Sequence, residues 1–543
     1  MRLIFLLFLC ISIISCNNMK KVDLIITNAK IYTVDSNFSI VQSIAVSDGI
    51  IMATGTNDEI LKQYNSENRI DLEGKTILPG LYDAHCHFLG YGLNKIKRAD
   101  LYESKSVEEA ISRLKEFSEK YQNEWLEGRG WDQNLWTSKS FPTKEMLDSV
   151  FPDIPVYLIR VDGHAAWVNS KALELCNINA QAKVEGGKIV EANGIPTGIL
   201  LDNAMELVRK HIPEPTLAMK EKALLSAQDD CFAVGLTSVA DAGLQPDEIL
   251  LIDSLQKSGK LKMRIYAMLE VNNQNIEWLK KIQKIITPSL SFRSVKLYAD
   301  GALGSRGALL LEPYSDDISN IGIRVLDNDF FEKVCEFAIE KGFQVNTHAI
   351  GDSAVRTVLN TYSKYLKTKN DLRWRIEHCQ VVNKSDFDLF GKYSIIPSVQ
   401  PTHATSDMGW AEQRLGNERI NGAYAYKKLL EQNGWIANGS DFPIENINPF
   451  FGIYAAVTRK NADGKPENGF MSENALDLKQ AIRATTIWAT KAAFEENEKG
   501  SLEVGKYADF IVIDNDILNI PESEIFKIKV IMTFVSGKKV FAK

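Results

Sequence analysis

The sequence predicts an α/β protein whose main domain is a (β/α)₈ TIM barrel. Short apolar strands recur through the middle of the chain, and a stretch of helical periodicity follows each strand, as at residues 328–341 and 352–365. Alternation of this kind indicates parallel βα units. The candidate strands are residues 76–85, 235–241, 262–269, 294–299, 342–348, 374–378, 395–400 and 435–441. Eight such units are the number that closes a TIM barrel.

The first element along the chain is an export signal. Arg2 precedes an apolar run, residues 3–14, which is too short to span a bilayer comfortably but suits the hydrophobic region of a secretory signal. The following Ile-Ile-Ser-Cys resembles a bacterial lipobox, in which cleavage leaves Cys16 as the lipid-bearing N-terminus. We therefore expect residues 1–16 to be a lipoprotein signal peptide and the mature protein to be anchored to a membrane of the bacterial cell envelope. The alternative is an uncleaved N-terminal anchor.

Both ends of the mature chain have the alternating pattern of β-strands. Residues 22–34 and 43–54 alternate apolar and polar side chains around turn dipeptides such as Asp48-Gly49, and residues 500–513 and 530–541 repeat the pattern. We expect residues 22–75 and 500–543 to form one small composite β domain. The barrel then occupies residues 76–95 and 231–499.

Residues 96–230 separate the first two barrel strands and are far too long for a simple loop. This interval has its own helical pattern at 106–121, a strand-like run at 155–161 and a glycine-rich hairpin candidate at 184–190. We interpret it as an inserted α+β subdomain over the barrel mouth.

Composition excludes some functions. The chain is 45% hydrophobic and 24% charged, which is ordinary for a globular protein. Its formal net charge is −7 and no basic stripe is present, so nucleic-acid binding is not expected. Two of the seven cysteines, Cys10 and Cys16, lie in the signal, and the other five show no paired spacing. We therefore expect no disulfide framework.

The residues that could carry chemistry lie at the ends of barrel strands, where TIM-barrel active sites are built. His85 and His87 end the first strand and, being two residues apart, face the same side. Later strands end in, or carry, the other candidates: Lys296, His348, His378 and Asp441. A single histidine at a strand end is usually structural. Two histidines on the first strand, one each on the fifth and sixth, and an aspartate on the eighth are together a specific pattern for metal binding.

Imidazole and carboxylate groups are the ligands of a divalent cation such as Zn²⁺. A bound cation lowers the pKa of water from about 16 to near 7 and so supplies hydroxide at neutral pH. Asp441 can take the proton as hydroxide attacks a carbonyl and return it to the leaving nitrogen. The pattern predicts a metal-dependent hydrolase that cleaves a non-peptide carbon–nitrogen bond.

Several segments resemble the amidohydrolase superfamily, and more closely its family 3 subgroup of YtcJ-like proteins and N-substituted formamide deformylases. The resembling segments are TILPGLYDAHCHF, SVKLYADGALGSR, VNTHAIGD, RIEHCQ, NGSDFP and GSLEVGKYADFIV, together with GWDQNLW, LIRVDGHAAWVNSKAL and GIPTGILLDNA in the insertion. The resemblance covers the chain from residue 22 onwards. It implies a metal-bearing TIM barrel with a β-sandwich built from both chain ends.

The resemblance also implies roles for individual residues. The metal ligands would be His85, His87, His348, His378 and Asp441, and Asp441 would also be the proton shuttle. Lys296 falls where many members carry a lysine carboxylated by CO₂, whose carbamate bridges two metals. One or two ions are therefore expected, with Zn²⁺ favoured, and the substrate would be an amide such as an N-formyl or N-acyl amine.

Residues outside this set could contact the substrate. His164, Trp131 and Asp132 could reach the barrel mouth from the insertion, and His403 follows the seventh strand. Structural roles are equally open for each of them. The expected partners are a small-molecule substrate and, through Cys16, a membrane. A homodimer is one possible assembly.

Two other classes of function remain open on the sequence alone. One is a ring deaminase or an esterase on the same scaffold, although Lys296 counts against a one-metal deaminase. The other is a non-enzymatic surface lipoprotein that binds a ligand. The substrate, the number of metal ions and the oligomeric state are not defined by the sequence.

Overall fold

A computed structural model describes residues 19–179, 181–182 and 184–543. Its centre is a sheet of eight parallel strands in sequential order. The strands are β1 (Leu81–Cys86), β2 (Leu236–Leu244), β3 (Arg264–Glu270), β4 (Leu290–Tyr298), β5 (Gln344–Ala349), β6 (Arg375–His378), β7 (Ile396–Val399) and β8 (Ala437–Asn438). The short strand Ile285–Ile286 pairs with β4 from outside this order. The predicted TIM barrel is confirmed.

The barrel is closed by backbone hydrogen bonds between its first and last strand regions. The Asp441 N–H donates to the His85 carbonyl at 2.8 Å, and the His87 N–H donates to the Phe442 carbonyl at 2.8 Å. β8 itself is only two residues long. The closure therefore falls beside three of the predicted functional residues and fixes their backbones against each other.

The outer helices form where apolar residues recur at helical spacing. In the helix Asn328–Lys341 the buried residues are Phe331, Val334, Cys335 and Ala338, which share one face. The Asp327 side chain accepts from the Phe330 N–H and caps the start, and Gly342, with φ of +67°, ends the helix. The other helices on the barrel are Phe88–Lys97, Leu217–Ala233, Pro246–Lys257, Ile276–Lys281, Asp352–Leu366, Phe387–Tyr393, Pro401–Asp407, Ala411–Arg419, Tyr426–Asn433, Pro449–Thr458, Leu478–Ala484 and Ile487–Ala492.

Strands from both chain ends pack as two sheets. One sheet has the order Ile50–Gly55, Ser43–Ser47, Leu24–Thr27 and Arg69–Asp71. The other has the order Lys538–Ala542, Val530–Val535, Phe510–Ile513, Thr76–Pro79, Lys30–Tyr32 and Ile40–Val41. Buried Ile26 and Ile44 of the first sheet share an apolar core with Phe510 and Phe534 of the second. The six-stranded sheet therefore combines strands from both ends of the chain.

The first predicted barrel strand, residues 76–85, is divided between two domains. Thr76–Pro79 pairs with Phe510–Ile513 in the sandwich, and the barrel strand begins at Leu81. Gly80 joins the two, and its N–H donates to the Asp509 carbonyl. A Cβ at Gly80 would lie 2.2 Å from Oγ1 of Thr237, so only glycine allows this close approach.

The inserted segment contains a six-stranded mixed sheet. Its strand order is Arg98–Asp100, Leu126–Trp131, Val156–Arg160, Ala165–Val168, Ile195–Asp202 and Gly187–Ala192. The helices Val107–Tyr121, Lys144–Asp148, Ser170–Leu175 and Glu206–Arg209 accompany it. The helix Leu217–Ala233 packs against Phe88–Lys97 and so joins the barrel wall, whereas the sequence pattern assigns residues 217–230 to the insertion.

The cysteines of the described residues are unpaired. Cys86, Cys176, Cys231, Cys335 and Cys379 are all buried and free. No helix among residues 19–179, 181–182 and 184–543 is long and apolar enough to cross a membrane. The predicted signal peptide and Cys16 lie outside the described residues.

Candidate metal centre and active site

Strand ends bring the predicted ligands together at one end of the barrel. The ring centroids of His85 and His378 are 4.8 Å apart, and those of His348 and His378 are 4.6 Å apart. His87 follows β1 directly, and its ring lies 5.8 Å from that of His85. Parallel strands place their carboxyl ends at the same rim, which is why residues from β1, β5 and β6 meet here.

Asp441 lies among these imidazoles. Its Oδ1 is 3.2 Å from Nε2 of His87 and 3.6 Å from Nε2 of His85, and its Oδ2 is 3.7 Å from Nε2 of His403. Burial alone would raise the pKa of this carboxyl, but its proximity to His87 and to the other imidazoles holds the pKa well below its usual value. Asp441 is therefore an anion surrounded by nitrogen ligands.

A second buried carboxylate supports the Asp441 turn. Asp83 accepts from the Ser440 N–H and from the Ser440 hydroxyl, at 3.0 and 2.6 Å, and also from the His85 N–H. Burial raises the pKa of Asp83 to about 7. These bonds tie the β8 turn to β1 and hold Asp441 and His85 in register.

Three histidines are oriented by acceptors on Nδ1. His85 Nδ1 lies 2.6 Å from Oε2 of Glu377, His87 Nδ1 lies 2.9 Å from the Ala242 carbonyl, and His378 Nδ1 lies 2.9 Å from Oε1 of Gln400. Each partner is an acceptor, so in the neutral ring the proton is on Nδ1. Each Nε2 then presents its lone pair towards Asp441, as a metal ligand requires.

The histidines are held neutral. Burial and the nearby charge of Lys296 lower the pKa of His85 to about 4, and the same two causes lower the pKa of His348 to about 3. Burial, His348 and His85 lower the pKa of His378 well below its usual value. Neutral imidazole is the form that binds a metal ion.

Lys296 lies on β4 inside the same cluster. Its Nζ is 3.3 Å from Nε2 of His85, and the residue is 1% exposed. Burial lowers the pKa of Lys296 to about 8. An ammonium beside a ligand nitrogen would repel a cation, so Lys296 must be neutral or modified when a metal ion is bound at His85.

The residues fit a divalent cation. Within the described part of the chain, several buried polar atoms at this rim have no hydrogen-bond partner, and they include Nε2 of His348, Nε2 of His403 and Oδ1 of Asp441. Two groups offer ligand atoms within 4.8 Å of one another: His85, His87 and Asp441 form one, and His378, His403 and Asp441 form the other. Buried polar atoms are normally paired, so an unpaired cluster of nitrogen and oxygen donors indicates a ligand site.

A cavity of about 920 Å³ leads from His87 to the inserted segment. Tyr157, Ile159 and His164 line it from the insertion, and Pro443 and Ile444 line it from the barrel. The His164 Nδ1–H donates to Oδ1 of Asp202 at 2.9 Å in the wall of this cavity. Residues of the insertion and of the barrel therefore line one cavity.

Two of the four candidate substrate contacts lie elsewhere. Trp131 is fully buried, donates from Nε1 to the Leu158 carbonyl and packs against Trp136 and Trp167, so it belongs to the core of the insertion. Asp132 is paired with Arg160 at 2.8 Å and does not line the cavity. Trp131 therefore contributes to packing, and Asp132 contributes to an ion pair.

His403 lies inside the cluster. It occupies the first turn of the helix Pro401–Asp407, directly after β7, and stacks on His378 with ring centroids 6.0 Å apart. Its Nδ1 lies 3.1 Å from Nε2 of Gln380. Of the four candidate contacts, His164 and His403 remain near the rim.

Sequence reasoning missed the residues that orient the ligands. Glu377 precedes His378, and Oε1 of Glu377 forms an ion pair with Nε of Arg375 at 2.8 Å. Burial alone would raise the pKa of Glu377, but Arg375 and His85 outweigh it and lower the pKa to about 2. Residues 375 and 377 are two apart on β6, so strand periodicity could have identified both as facing the barrel interior.

The chain is similar to known hydrolases over nearly its whole length. Residues 69–541 match the model of the amidohydrolase family. The putative amidohydrolase YtcJ of Bacillus subtilis is 33% identical over 94% of this chain and 98% of its own length. The N-substituted formamide deformylase of Arthrobacter pascens is 26% identical over 95% of this chain and 97% of its own length.

A solved structure shows the same architecture. A metal-dependent hydrolase of uncharacterized function from Pyrococcus furiosus is 29% identical, with a TM-score of 0.77 over 91% of this chain and 99% of its own. The match extends over the barrel, the sandwich and the insertion because nearly the whole of both chains is covered. The resemblance identified from sequence segments is confirmed: this chain belongs to the amidohydrolase family and is a metal-dependent hydrolase that acts on carbon–nitrogen bonds.

Proposed function

We propose that this hydrolase cleaves the amide bond of a small N-acyl or N-formyl amine. The observation that carries the proposal is the set of three imidazoles, His85, His87 and His378, whose Nδ1 partners leave the Nε2 lone pairs beside the Asp441 carboxylate. This arrangement combines ligands for a cation with one carboxylate that is able to carry a proton. The similarity to a formamide deformylase supports the amide as the bond attacked.

The protein would hold its divalent cation, which we expect to be Zn²⁺, through His85, His87, His348, His378 and Asp441. When two ions are bound, a carboxylated Lys296 would join them. The cation supplies a water of lowered pKa and polarises the substrate carbonyl. The neutral histidines and the anionic carboxylate described above suit this donor set.

The role of Asp441 is to move one proton. As water adds to the carbonyl carbon, a carbon–oxygen bond forms and the water proton passes to Oδ of Asp441. When the carbon–nitrogen bond breaks, the same proton passes from Asp441 to the leaving nitrogen. The products are a carboxylic acid, which is formic acid for an N-formyl substrate, and an amine.

The cavity beside His87 would hold the amine part of the substrate. Its walls combine apolar residues, such as Leu93 and Ile444, with charged residues that already have partners: Lys97 with Glu127, and Arg209 with Glu206. A volume of about 920 Å³ accommodates a small molecule with an aromatic or branched substituent. His164 would contact that substituent near the outer end.

We also propose that the mature protein is held at a membrane of the cell envelope through lipid on Cys16. The support is the apolar run that ends in Ile-Ile-Ser-Cys. Only residues 17–19 separate Cys16 from the strand Lys20–Lys21, which pairs with Tyr64–Asn65 beside the sandwich. A tether of that length would keep the sandwich close to the bilayer.

The test is a substrate panel with metal-loaded protein lacking residues 1–16. N-formyl and N-acyl amines should be hydrolysed, and one to two equivalents of Zn²⁺ or a similar ion should be found by elemental analysis. Activity should disappear after chelation and return with added metal. Turnover of ring amines or esters, with none of amides, would replace the proposal with a deaminase or an esterase. A protein that binds less than a tenth of an equivalent after reconstitution would not be a metal-dependent enzyme.

A further inference from the structure

His403 differs from the other histidines of the centre in the group that faces its Nδ1. The Nδ1 atoms of His85, His87 and His378 face oxygen acceptors, whereas His403 Nδ1 faces the amide nitrogen of Gln380 at 3.1 Å. An amide NH₂ only donates. In this orientation of the amide His403 Nδ1 accepts, so the neutral ring carries its proton on Nε2.

The Nε2–H of His403 is directed into the metal centre. This nitrogen is buried, has no hydrogen-bond partner among the described residues, and lies 3.7 Å from Oδ2 of Asp441. The ring is nearly parallel to that of His378, at an interplanar angle of 17°, so the two Nε2 atoms border the same space. Nε2 of His378 offers a lone pair, and Nε2 of His403 offers a proton.

We infer that His403 is not a metal ligand but the hydrogen-bond donor that binds the substrate's carbonyl oxygen. A ring protonated on Nε2 has no lone pair there for a cation. To become a ligand, it would have to move the proton to Nδ1, and the Gln380 amide would have to turn its oxygen, which has no hydrogen-bond partner among the described residues, towards the ring. The inference rests on the proposed amide hydrolysis for the identity of the oxygen and on the structure alone for the choice between donor and ligand.

The donor role has a clear chemical purpose. Negative charge develops on the carbonyl oxygen as water adds, and a fixed N–H directed at that position stabilises the charge without reorganisation. His403 is held by Gln380 on one side and by stacking on His378 on the other. Loss of one such donor typically lowers kcat by about 10²–10³-fold.

The first experiment separates donor from ligand by metal content. His403→Phe, loaded with Zn²⁺, should retain the wild-type number of equivalents and a zinc affinity within about twofold of wild type in a chelator competition. Its kcat on the best amide of the panel should fall about 100-fold. His403→Gln, whose amide nitrogen can donate from a similar position, should recover at least tenfold of that loss. Circular dichroism and a thermal melt would establish that both variants are folded.

The second experiment uses two matched glutamines. Gln400→Leu removes the acceptor that orients the ligand His378, so zinc affinity should fall about 10–100-fold. Gln380→Leu removes the donor that sets the His403 tautomer, so kcat should fall while zinc affinity stays within about twofold. The contrast in zinc affinity is measurable whether or not a substrate is known.

The outcomes are distinct. Loss of one zinc equivalent, or a tenfold weaker zinc affinity, in His403→Phe would make His403 a ligand and overturn the inference. Unchanged kcat with unchanged zinc content would also overturn it. If no amide of the panel is turned over, the proposed function fails on its own, and binding of formate and acetate to the zinc-loaded variants replaces kcat. His403→Phe should then bind these oxygen anions about tenfold more weakly than wild type, and equal binding would contradict the donor role.

Discussion

The carboxylate of Glu377 lies 2.6 Å from Nδ1 of His85, and neither side chain is exposed to solvent. The bond fixes the ring orientation and the tautomer of His85, which we propose as a metal ligand. Oε1 of the same carboxylate pairs with Nε of Arg375, and Nη2 of Arg375 donates to the Ser398 hydroxyl on β7. One carboxylate thus couples the ligand His85 to strands β6 and β7.

Glu377→Gln should weaken metal binding. The amide keeps the shape but loses the charge, so His85 becomes a poorer ligand and Arg375 is left buried without its counter-ion. We expect zinc affinity to fall about 10–100-fold and the free energy of unfolding to fall by about 3–5 kcal/mol. Chelator competition and urea unfolding measure the two effects.

Glu332→Gln, which removes an exposed ion pair with Lys364, is the matched control and should change neither zinc affinity nor stability. Wild-type zinc affinity in Glu377→Gln would show that Glu377 does not orient the ligand.

Lys296→Ala should lose metal as well as activity. If Lys296 carries a carbamate, its removal takes away an anion shared by the cations, and we expect kcat to fall more than about 100-fold. Bicarbonate or short carboxylates should restore part of both metal content and activity by occupying the vacated space. ¹³C NMR after incubation with labelled bicarbonate should show a carbamate signal in wild type and none in the variant. Two tightly bound ions in Lys296→Ala would reduce Lys296 to a structural residue.

Trp131→Ala should destabilise the inserted segment without changing substrate binding. The side chain is fully buried and packs against Trp136 and Trp167, so truncation leaves a cavity. We expect a loss of about 3–5 kcal/mol in the free energy of unfolding, with KM unchanged for the protein that remains folded. Leu135→Ala, at an exposed position, is the control. A large rise in KM with unchanged stability would instead place Trp131 in the substrate site.

The fold and the clustering of the candidate ligands could be predicted because they follow from periodicity within single strands. His85 and His87 are two residues apart, so a strand ending at this point must turn both to one side. Trp131 and Asp132 also end a strand, but the strand belongs to the inserted sheet, whose partners decide whether its end is buried. Strand-end position alone does not separate a site residue from a core residue.

The orienting residues could not be predicted because they depend on contacts between distant segments. Gln380 follows β6 and His403 follows β7, and only the folded barrel brings the amide to the ring. The distinction between a ligand histidine and a donor histidine rests on such a contact. The neighbouring pair, Gln400 with His378, involves the same residue types with the opposite hydrogen-bond direction.

Cys16→Ala should release the protein from the membrane. Stable anchoring needs more than one acyl chain or other membrane-binding signal. The expected lipid on Cys16 supplies several acyl chains. In cells given labelled fatty acid, wild type should be labelled and found in the membrane fraction, whereas Cys16→Ala should be neither. Cys10→Ala, within the apolar run, should behave as wild type. Continued labelling of the Cys16 variant would contradict the lipoprotein assignment.

Asp441→Asn should remove the proton carrier while leaving much of the site intact. Asparagine keeps an oxygen that can face His87 and the cation, but it cannot accept the proton released as water adds to the carbonyl. We expect kcat to fall about 100-fold or more, the scale of general acid–base contributions. KM should change much less, because the lost interaction belongs to the transition state. Zinc content measured on the same preparation separates loss of the proton carrier from loss of a ligand. Asp371→Asn, at an exposed position outside the cavity, is the control and should leave kcat unchanged. A near-normal kcat in fully metal-loaded Asp441→Asn would exclude Asp441 from the chemistry and would require another base within reach of the attacking water.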